Sequence, residues 1–277
     1  MIIGIVGLGL IGGSFAKAYS KAGHTVYAYD TDASVLDCAI TSDAAKAELT
    51  DALLPECDLI LICTYPEAAC KYMDAKGSSF GSKPIVMDCC GTKGNIVDKG
   101  MSLAGKYNFT YVGGHPMAGT HFSGFQYSRD NLYVGAPMVI VPPRYDDTAF
   151  LDHVKELLNP AGFGTYTVTT AEMHDRVIAF SSQLAHVVSN AYIKSPTSRL
   201  HAGFSAGSYK DLTRVAWLNP EMWTQLFFDN KDCLVYEIDT IISSLTEYRD
   251  ALLNDDRDEM KKLLREGKEI KEEVDGK

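Results

Sequence analysis

A glycine-rich turn near the amino terminus constrains the fold of this chain more than any other feature. A short apolar run at 2–6 predicts a buried strand, and a helical pattern ending near Ala22 follows the glycines. In such a strand–turn–helix unit, three spaced glycines allow a tight turn, a close approach of the backbone to a pyrophosphate, and close packing of helix on strand. The motif therefore predicts a Rossmann-type dinucleotide-binding domain in which the cofactor lies against Gly7, Gly9, Leu10, Ile11 and Gly12.

An acidic residue at the end of the second predicted strand indicates which dinucleotide binds. Asp30 follows the apolar run at 25–29 and lies 18 residues after Gly12, close to the spacing of about 20 that is typical of this fold. Its carboxylate would accept hydrogen bonds from ribose hydroxyls and would repel a 2′-phosphate. Because neither Thr31 nor Asp32 is positively charged, the sequence predicts NAD and not NADP as the cofactor.

Apolar runs alternate with helical patterns through the first 168 residues. After the first two strands, we predict further strands at 58–63, 84–88, 110–112, 138–141 and 165–168, the last at an edge of the sheet. Continuous apolar strands separated by helices are typical of a parallel sheet covered on both faces. We therefore expect an α/β domain with a Rossmann-type parallel sheet at 1–168.

The second part of the chain has helical patterns only. The sequence predicts one helix over 171–193, a second over most of 219–253, and a charged terminal helix over 256–273. We therefore expect an all-α domain at 169–277, joined to the first without a flexible linker. Two long apolar helices are more than so small a domain buries alone, which predicts a homodimer built through this domain.

Composition and charge argue against several classes of partner. The chain has 277 residues and a formal net charge of −10, whereas non-specific binding to nucleic acid or anionic membranes needs a positive field. No segment resembles a membrane-spanning helix of about 20 apolar residues, and no basic region precedes the apolar start as in a signal peptide. The seven cysteines do not follow zinc-binding spacing. These features predict a cytoplasmic protein with reduced cysteines and no bound metal.

A histidine follows the fifth predicted strand, in the run Gly113-Gly114-His115-Pro116. Ligands of α/β sheets bind at the carboxyl ends of the strands, so we expect His115 to face the nicotinamide. A histidine can accept the proton of an alcohol while hydride leaves the neighbouring carbon, because its pKa lies near neutral pH. From position alone, a structural role for this histidine is the alternative.

Three segments together resemble the prephenate dehydrogenase family. They are GLGLIGGS at 7–14, HPMAG with its following Ser-Gly at 115–124, and GSYKDLTRVAWLNPEMW at 207–223. The third is the most specific, because it has no general role in nucleotide binding. The resemblance covers nearly the whole chain and implies NAD-dependent oxidative decarboxylation of prephenate to 4-hydroxyphenylpyruvate, a step of tyrosine biosynthesis. It also implies a Rossmann domain followed by a helical domain that dimerises.

The resemblance implies roles for particular residues. His115 would be the base, His186 would bind the carboxylate of the pyruvyl side chain, and Arg214 would hold a substrate carboxylate with its planar guanidinium. Asp211 and Trp223 would shape the pocket or support Arg214. The alternatives are a core histidine for His186, a solvated charge for Arg214, a cap or ion-pair partner for Asp211, and plain packing for Trp223.

The chain departs from the family in the turn after the fourth strand. Many members carry a serine there whose hydroxyl assists the catalytic histidine, whereas this chain has Gly91 with Thr92 next to it. Thr92 is the candidate for the missing hydroxyl, and a bound water is the alternative. Lys93 would lie near the nicotinamide or brace the turn. We expect His121 and Ser123 to stabilise their loop, with contact to the substrate as a second interpretation for Ser123.

Three other functions stay open at this point. An arogenate dehydrogenase would yield tyrosine directly but would need an acid or amide near the substrate's ammonium group. Dehydrogenases of β-hydroxy acids usually place a lysine on the long helix after the Rossmann domain, and 171–193 contains none. A non-catalytic NAD-binding module would not need His115, His186 and Arg214 together.

Overall fold

The computed structural model of the protein describes residues 1–120 and 122–276. Two compact units divide the chain, one comprising 1–230 and the other 231–277. The first unit contains the whole sheet, its covering helices and the helices up to Asp229. The domain boundary expected between residues 168 and 169 stays a prediction.

In the part of the chain that the structure describes, a sheet of eight strands forms the centre of the first unit. In chain order the strands are β1 (Ile2–Val6), β2 (Thr25–Tyr29), β3 (Ala47–Glu48), β4 (Leu59–Ile62), β5 (Ile85–Asp88), β6 (Thr110–Pro116), β7 (Pro137–Val141) and β8 (Thr165–Val168). They lie side by side in the order β3-β2-β1-β4-β5-β6-β7-β8. The chain order reverses between β1 and β4, and such a reversal opens a crevice for ligands at the carboxyl ends of the strands. The predicted Rossmann-type fold is confirmed.

One strand pair departs from the expected parallel arrangement. β6 and β7 run antiparallel, with His115 opposite Val139 and Pro116 opposite Met138. This pairing extends β6 to Pro116, so His115 lies on a strand and not in a loop after a strand that ends at 112. The apolar pattern that predicts a strand does not give its direction, which explains the difference. The two-residue strand β3 was not predicted from the sequence.

Among the residues that the structure describes, five α-helices connect the strands: α1 (Leu10–Lys21), α2 (Ala33–Thr41), α3 (Pro66–Lys76), α4 (Gly94–Tyr107) and α5 (Thr148–Leu158). Side chains fix where two of them begin. The Asp32 carboxylate accepts a hydrogen bond from the Ser34 N–H at the start of α2, and Asp147 accepts one from the Phe150 N–H at the start of α5. Such caps satisfy amides that have no partner within the helix.

Apolar side chains fill both faces of the sheet. In β4, Leu59 and Leu61 belong to one buried cluster, whereas Ile60 and Ile62 belong to the other. Successive side chains of a strand point to opposite faces, so both faces of this strand are covered. That is why β4 is a continuous apolar run without polar alternation.

In the described part of the first unit, four further α-helices follow the sheet: α6 (Ala171–Ile178), α7 (Ala185–Ile193), α8 (Gly207–Thr213) and α9 (Pro220–Asp229). A π-helical segment, Ala179–Leu184, joins α6 to α7. The single helix expected at 171–193 is therefore one continuous helical run with a wider turn inside it. Insertions of this kind are rare and often occur at functional sites.

The second unit consists of α10 (Lys231–Leu253) and α11 (Arg257–Asp275). The helix expected over most of 219–253 is interrupted, because α9 ends at Asp229 and α10 begins at Lys231. At its start, α11 is capped by the Asp256 carboxylate, which accepts a hydrogen bond from the Glu259 N–H. Within the described residues, no helix combines the length and the apolar character that crossing a membrane would require.

Candidate active site

The glycine turn between β1 and α1 has the geometry of a dinucleotide cradle. Gly7 adopts a φ of +88°, which favours glycine. A Cβ atom on Gly12 would lie 1.8 Å from the Gly7 carbonyl oxygen, so α1 packs this closely against the turn only because residue 12 is glycine. A Cβ atom on Gly9 would meet nothing within 4 Å. The backbone at Gly9 is therefore open on the side from which a phosphate group would approach.

Asp30 lies beside this turn, at the end of β2. One carboxylate oxygen accepts a hydrogen bond from the Leu8 N–H at 2.6 Å, and the other accepts one from the Asp32 N–H at 2.9 Å. The side chain is held firmly in place yet remains partly exposed. Each oxygen keeps lone pairs for further donors, which suits the two hydroxyls of a ribose.

His115 lies at the carboxyl end of β6, at the same edge of the sheet as the glycine turn. Its Nδ1 atom lies 2.9 Å from Nε2 of His174, and Nδ1 of His174 lies 2.7 Å from a carboxylate oxygen of Asp175. We call His115, His174 and Asp175 the histidine chain. Burial, with His174 and the positive charge of Lys93 nearby, holds the pKa of His115 well below its usual value. The histidine is therefore a neutral imidazole near neutral pH.

Asp175 is anchored at the start of α4. Its two carboxylate oxygens accept hydrogen bonds from the backbone N–H groups of Lys93 and Gly94, both at 2.7 Å. The amino terminus of a helix also carries a partial positive charge, which stabilises a carboxylate there. His174 and Asp175 are not predicted as site residues from the sequence, because a His-Asp pair in the first turns of a helix is not a distinctive signal.

A buried ion pair lies behind the histidine chain. The Lys93 ammonium contacts the Asp88 carboxylate, and both side chains are completely buried. Asp88 also accepts hydrogen bonds from the Tyr111 hydroxyl at 2.6 Å and from the Cys90 N–H at 3.0 Å. Of the two roles considered for Lys93, these contacts support bracing the turn.

Thr92, the candidate substitute for the family's serine, is buried next to this pair, with 3% of its surface exposed. It lies beside the carboxyl group of Asp229, whose pKa is raised, chiefly by burial. Gly91 packs close to Leu226. The contacts of Thr92 and Gly91 thus face α9. The structure gives no direct support for Thr92 as a partner of His115.

His186 and Arg214 form a second group of candidate residues. His186 lies on α7, and its Nδ1–H donates to the Ser182 carbonyl at 2.9 Å, which leaves Nε2 available. Its ring packs on Trp223, with centroids 3.8 Å apart. Burial, with the Arg214 charge nearby, lowers the pKa of His186. The structure therefore brings His186, Trp223 and Arg214 together, while Asp211 is exposed on α8.

Hydrogen bonds connect the histidine chain to the helix that carries His186. The Asn230 amide donates to the Asp175 carbonyl at 2.7 Å and to the Gln183 side-chain oxygen at 2.9 Å. Gln183 lies in the π-helical segment, one turn before His186. The two candidate groups thus share one helical scaffold. Of the remaining candidates, Ser123 is exposed, and His121 lies outside the described residues.

Comparison with known proteins decides what this arrangement belongs to. The family model described as "Prephenate dehydrogenase, nucleotide-binding domain" matches residues 15–166, and the one described as "Prephenate dehydrogenase, dimerization domain" matches residues 170–266. The chain belongs to the prephenate dehydrogenase family. The resemblance seen in three sequence segments is confirmed, and the chain is an NAD-dependent oxidoreductase of this family.

Individual relatives extend along nearly the whole chain. Cyclohexadienyl dehydrogenase of Zymomonas mobilis is 29% identical over 284 residues, which cover 97% of this chain and 94% of that protein. Prephenate dehydrogenase of Bacillus subtilis is 26% identical over 281 residues, which cover 97% of this chain and 74% of that protein.

Two solved structures of family members are also similar. The structure of prephenate dehydrogenase from A. aeolicus in complex with hydroxyphenyl propionate and NAD+ has a TM-score of 0.82 at 27% sequence identity. The similarity covers 99% of this chain and 98% of the A. aeolicus chain. Arogenate dehydrogenase from Synechocystis has a TM-score of 0.81 at 26% identity and covers 99% of this chain and 100% of its own.

Proposed function

We propose that this protein oxidatively decarboxylates prephenate to 4-hydroxyphenylpyruvate in tyrosine biosynthesis, with NAD+ as the hydride acceptor. The observation that carries the proposal is a neutral histidine, His115, at the sheet edge that also bears the glycine turn. A proton acceptor and a dinucleotide cradle at one edge are what removal of a hydride and a proton from an alcohol requires. The family membership supports the choice of substrate.

The residues of the nucleotide site fit NAD. The open backbone at Gly9 and the amino terminus of α1 suit a pyrophosphate, and the carboxylate of Asp30 suits the ribose hydroxyls. When bound, NAD+ supplies the acceptor for the hydride that leaves C4 of the substrate ring. A 2′-phosphate would face the negative charge of Asp30, so we expect NADP+ to be a poor substitute.

His115 carries the proton chemistry. The ring hydroxyl of prephenate gives its proton to Nε2 of His115 while hydride leaves the same carbon, so the alcohol becomes a carbonyl. The bond between the ring and its carboxylate then breaks, its electron pair passes through the ring to the carbonyl oxygen, and CO₂ leaves, while that oxygen regains the proton held by His115. The ring becomes aromatic, which makes this step strongly favourable. The protein therefore needs chiefly to position the hydroxyl and the two carboxylates.

Arg214 and His186 supply the groups for those carboxylates. The planar guanidinium of Arg214 binds a carboxylate through two parallel hydrogen bonds. His186 presents Nε2 to the pyruvyl side chain, because its Nδ1 is already bonded to the Ser182 carbonyl. Trp223 fixes the orientation of the His186 ring by stacking on it. Asp211 would support Arg214 from α8.

We propose two domains and a homodimer. Residues 1–168 would bind the cofactor, and residues 169–277 would bind substrate and form the dimer. Large apolar side chains on the helical part of the first unit support a second copy as partner, because each leaves more than three fifths of its surface exposed: Phe180, Leu200, Phe204, Trp217 and Phe228. Exposed apolar side chains of this size, where they lie together, commonly mark an interface. The acidic, cysteine-containing composition supports a cytoplasmic location.

Arogenate dehydrogenase activity is the second candidate, since the similar Synechocystis structure carries that name. Initial rates of NADH production with prephenate and with arogenate, each tested with NAD+ and NADP+, decide between the two. We expect the highest kcat/KM with prephenate and NAD+. A higher kcat/KM with arogenate would reassign the substrate. NADH production from neither substrate would refute the proposal.

A further inference from the structure

We propose that His174 is a positioning residue that keeps Nε2 of His115 unprotonated and directed at the substrate's hydroxyl. The inference rests on the proposed function, in which His115 is the base. His174 would thus take part in the reaction from a buried position, since its side chain is 3% exposed and contacts His115 and Asp175.

The direction of each hydrogen bond in the histidine chain follows from the contacts of Asp175. Both carboxylate oxygens of Asp175 accept hydrogen bonds from backbone N–H groups, so this carboxylate is an acceptor. Nδ1 of His174, 2.7 Å away, must then carry a hydrogen and donate it. A neutral imidazole has only one N–H group, so Nε2 of His174 carries a lone pair and no hydrogen.

That lone pair determines the tautomer of His115. Nε2 of His174 lies 2.9 Å from Nδ1 of His115, and one of these two atoms must donate. Since His174 Nε2 is the acceptor, His115 Nδ1 carries the hydrogen, and the other ring nitrogen of His115 has the free lone pair. The carboxylate of Asp175 therefore determines, through His174, that Nε2 of His115 is the atom that accepts a proton.

Burial, assisted by the positive charge of Lys93, lowers the pKa of both rings and keeps them neutral. Burial lowers the pKa of His174, and the charge of Lys93 acts in the same direction, whereas the hydrogen bond to Asp175 and the charge of Asp88 oppose it. Lys93 also disfavours a second positive charge on His115. Without the substrate's proton, the histidine chain is therefore uncharged except at Asp175.

The same hydrogen bonds stabilise the imidazolium that forms during the reaction. Once His115 has accepted the hydroxyl proton, its Nδ1–H still donates to His174, and His174 still donates to Asp175. The new positive charge is thus linked to a carboxylate through one neutral ring in a buried site, where electrostatic interactions are strong. No proton has to leave the histidine chain during hydride transfer.

Two variants separate positioning from plain packing. His174→Leu keeps an apolar volume but removes the acceptor, and we expect kcat to fall roughly 10²-fold or more, within the range for loss of a positioned base. His174→Gln offers a side-chain oxygen as acceptor, and we expect its kcat to be at least about tenfold higher than that of His174→Leu. KM for prephenate and the Kd for NAD+ should change less than about threefold in both variants. His153→Gln, at an exposed histidine on α5, is the control and should match the wild type.

Nuclear magnetic resonance tests the tautomer in the wild-type protein without any change at His174. In protein labelled with ¹⁵N-histidine, the resonances of His115 are assigned by their loss in the His115→Asn variant. At neutral pH we expect a protonated Nδ1 and an unprotonated Nε2 on His115. The opposite tautomer in the wild type would overturn the proposal even if both His174 variants failed to fold.

The outcomes distinguish this proposal from the proposed function. A wild-type protein that does not oxidise prephenate contradicts the function, whatever the tautomer of His115. An active wild type with full kcat in His174→Leu contradicts the role of His174 alone. Equal losses of kcat in the Leu and Gln variants would also contradict it, because a restored acceptor would then have no effect.

Discussion

Replacing either of two glycines of the nucleotide turn with alanine should weaken cofactor binding, but only one of the two replacements should destabilise the protein. In Gly12→Ala, the new Cβ atom would lie 1.8 Å from the Gly7 carbonyl oxygen, whereas ordinary contacts begin at 3.4 Å. Helix α1 would have to move by more than 1 Å, and its side chains Phe15 and Tyr19 are completely buried in the core. Strain of this kind typically costs about 1–3 kcal/mol or more.

Gly9→Ala is the matched comparison. Gly9 has a φ of −69°, which alanine adopts without strain, and its Cβ atom would meet nothing within 4 Å. The free energy of unfolding should therefore stay within about 0.5 kcal/mol of the wild type. The new methyl group would occupy the space through which the pyrophosphate approaches, so the Kd for NAD+ should rise at least about tenfold, which is about 1.4 kcal/mol.

Urea denaturation and calorimetric titration with NAD+ measure the two quantities. We expect Gly12→Ala to lose stability and NAD+ binding together, and Gly9→Ala to lose NAD+ binding alone. Because the protein is large, a loss of 1 kcal/mol should lower Tm by about 2–4 °C. Wild-type stability in Gly12→Ala would contradict the close packing of α1 on the turn, and wild-type affinity in Gly9→Ala would refute the assignment of this turn as the pyrophosphate site.

Four further predictions concern the charged and titrating groups. Asp30→Ala should reduce the preference for NAD+ over NADP+ in kcat/KM, and an unchanged preference would remove Asp30 from cofactor selection. His115→Asn should lower kcat about 10²–10⁴-fold with little change in KM. Arg214→Ala should instead raise KM for prephenate and leave the Kd for NAD+ unchanged. The reverse pattern in steady-state kinetics would exchange the two roles. Lys93→Met should reduce the free energy of unfolding by about 3 kcal/mol or more, because it leaves the buried carboxylate of Asp88 without its cation; urea denaturation showing no loss would contradict this. The pKa of His115 in the folded protein is held below the ordinary histidine value of 6.5. As pH falls, His115 therefore binds a proton in the unfolded protein before it does in the folded one, so the free energy of unfolding should decline below about pH 6.5. The acidic limb of the kcat profile should also lie below that value.

The sequence predicted the strand–turn–helix unit that carries the candidate nucleotide site, because this unit depends on local order. The spacing of Gly7, Gly9 and Gly12 and the position of Asp30 after β2 follow from one strand–turn–helix–strand unit, and the structure places them accordingly. The apolar strands were equally clear, since a buried parallel strand needs a continuous apolar run.

The histidine chain was not predicted, because it depends on a contact between residues far apart in the chain. His115 and His174 are 59 positions apart, and they meet only because α6 packs near the end of β6. Similarly, no local pattern shows that β7 runs antiparallel to β6. The break at Asn230 escaped notice because its cause is tertiary: the side chain bonds to Asp175 and Gln183, while the apolar spacing continues past it.

The stoichiometry of a complete reaction tests the central claim most directly. The wild-type protein is incubated with a limiting amount of prephenate and excess NAD+, and NADH, CO₂ and 4-hydroxyphenylpyruvate are each quantified. We expect the three products in equal amounts, and His115→Asn should form none of them at a comparable rate. NADH without CO₂, or CO₂ without NADH, would contradict oxidative decarboxylation by this protein.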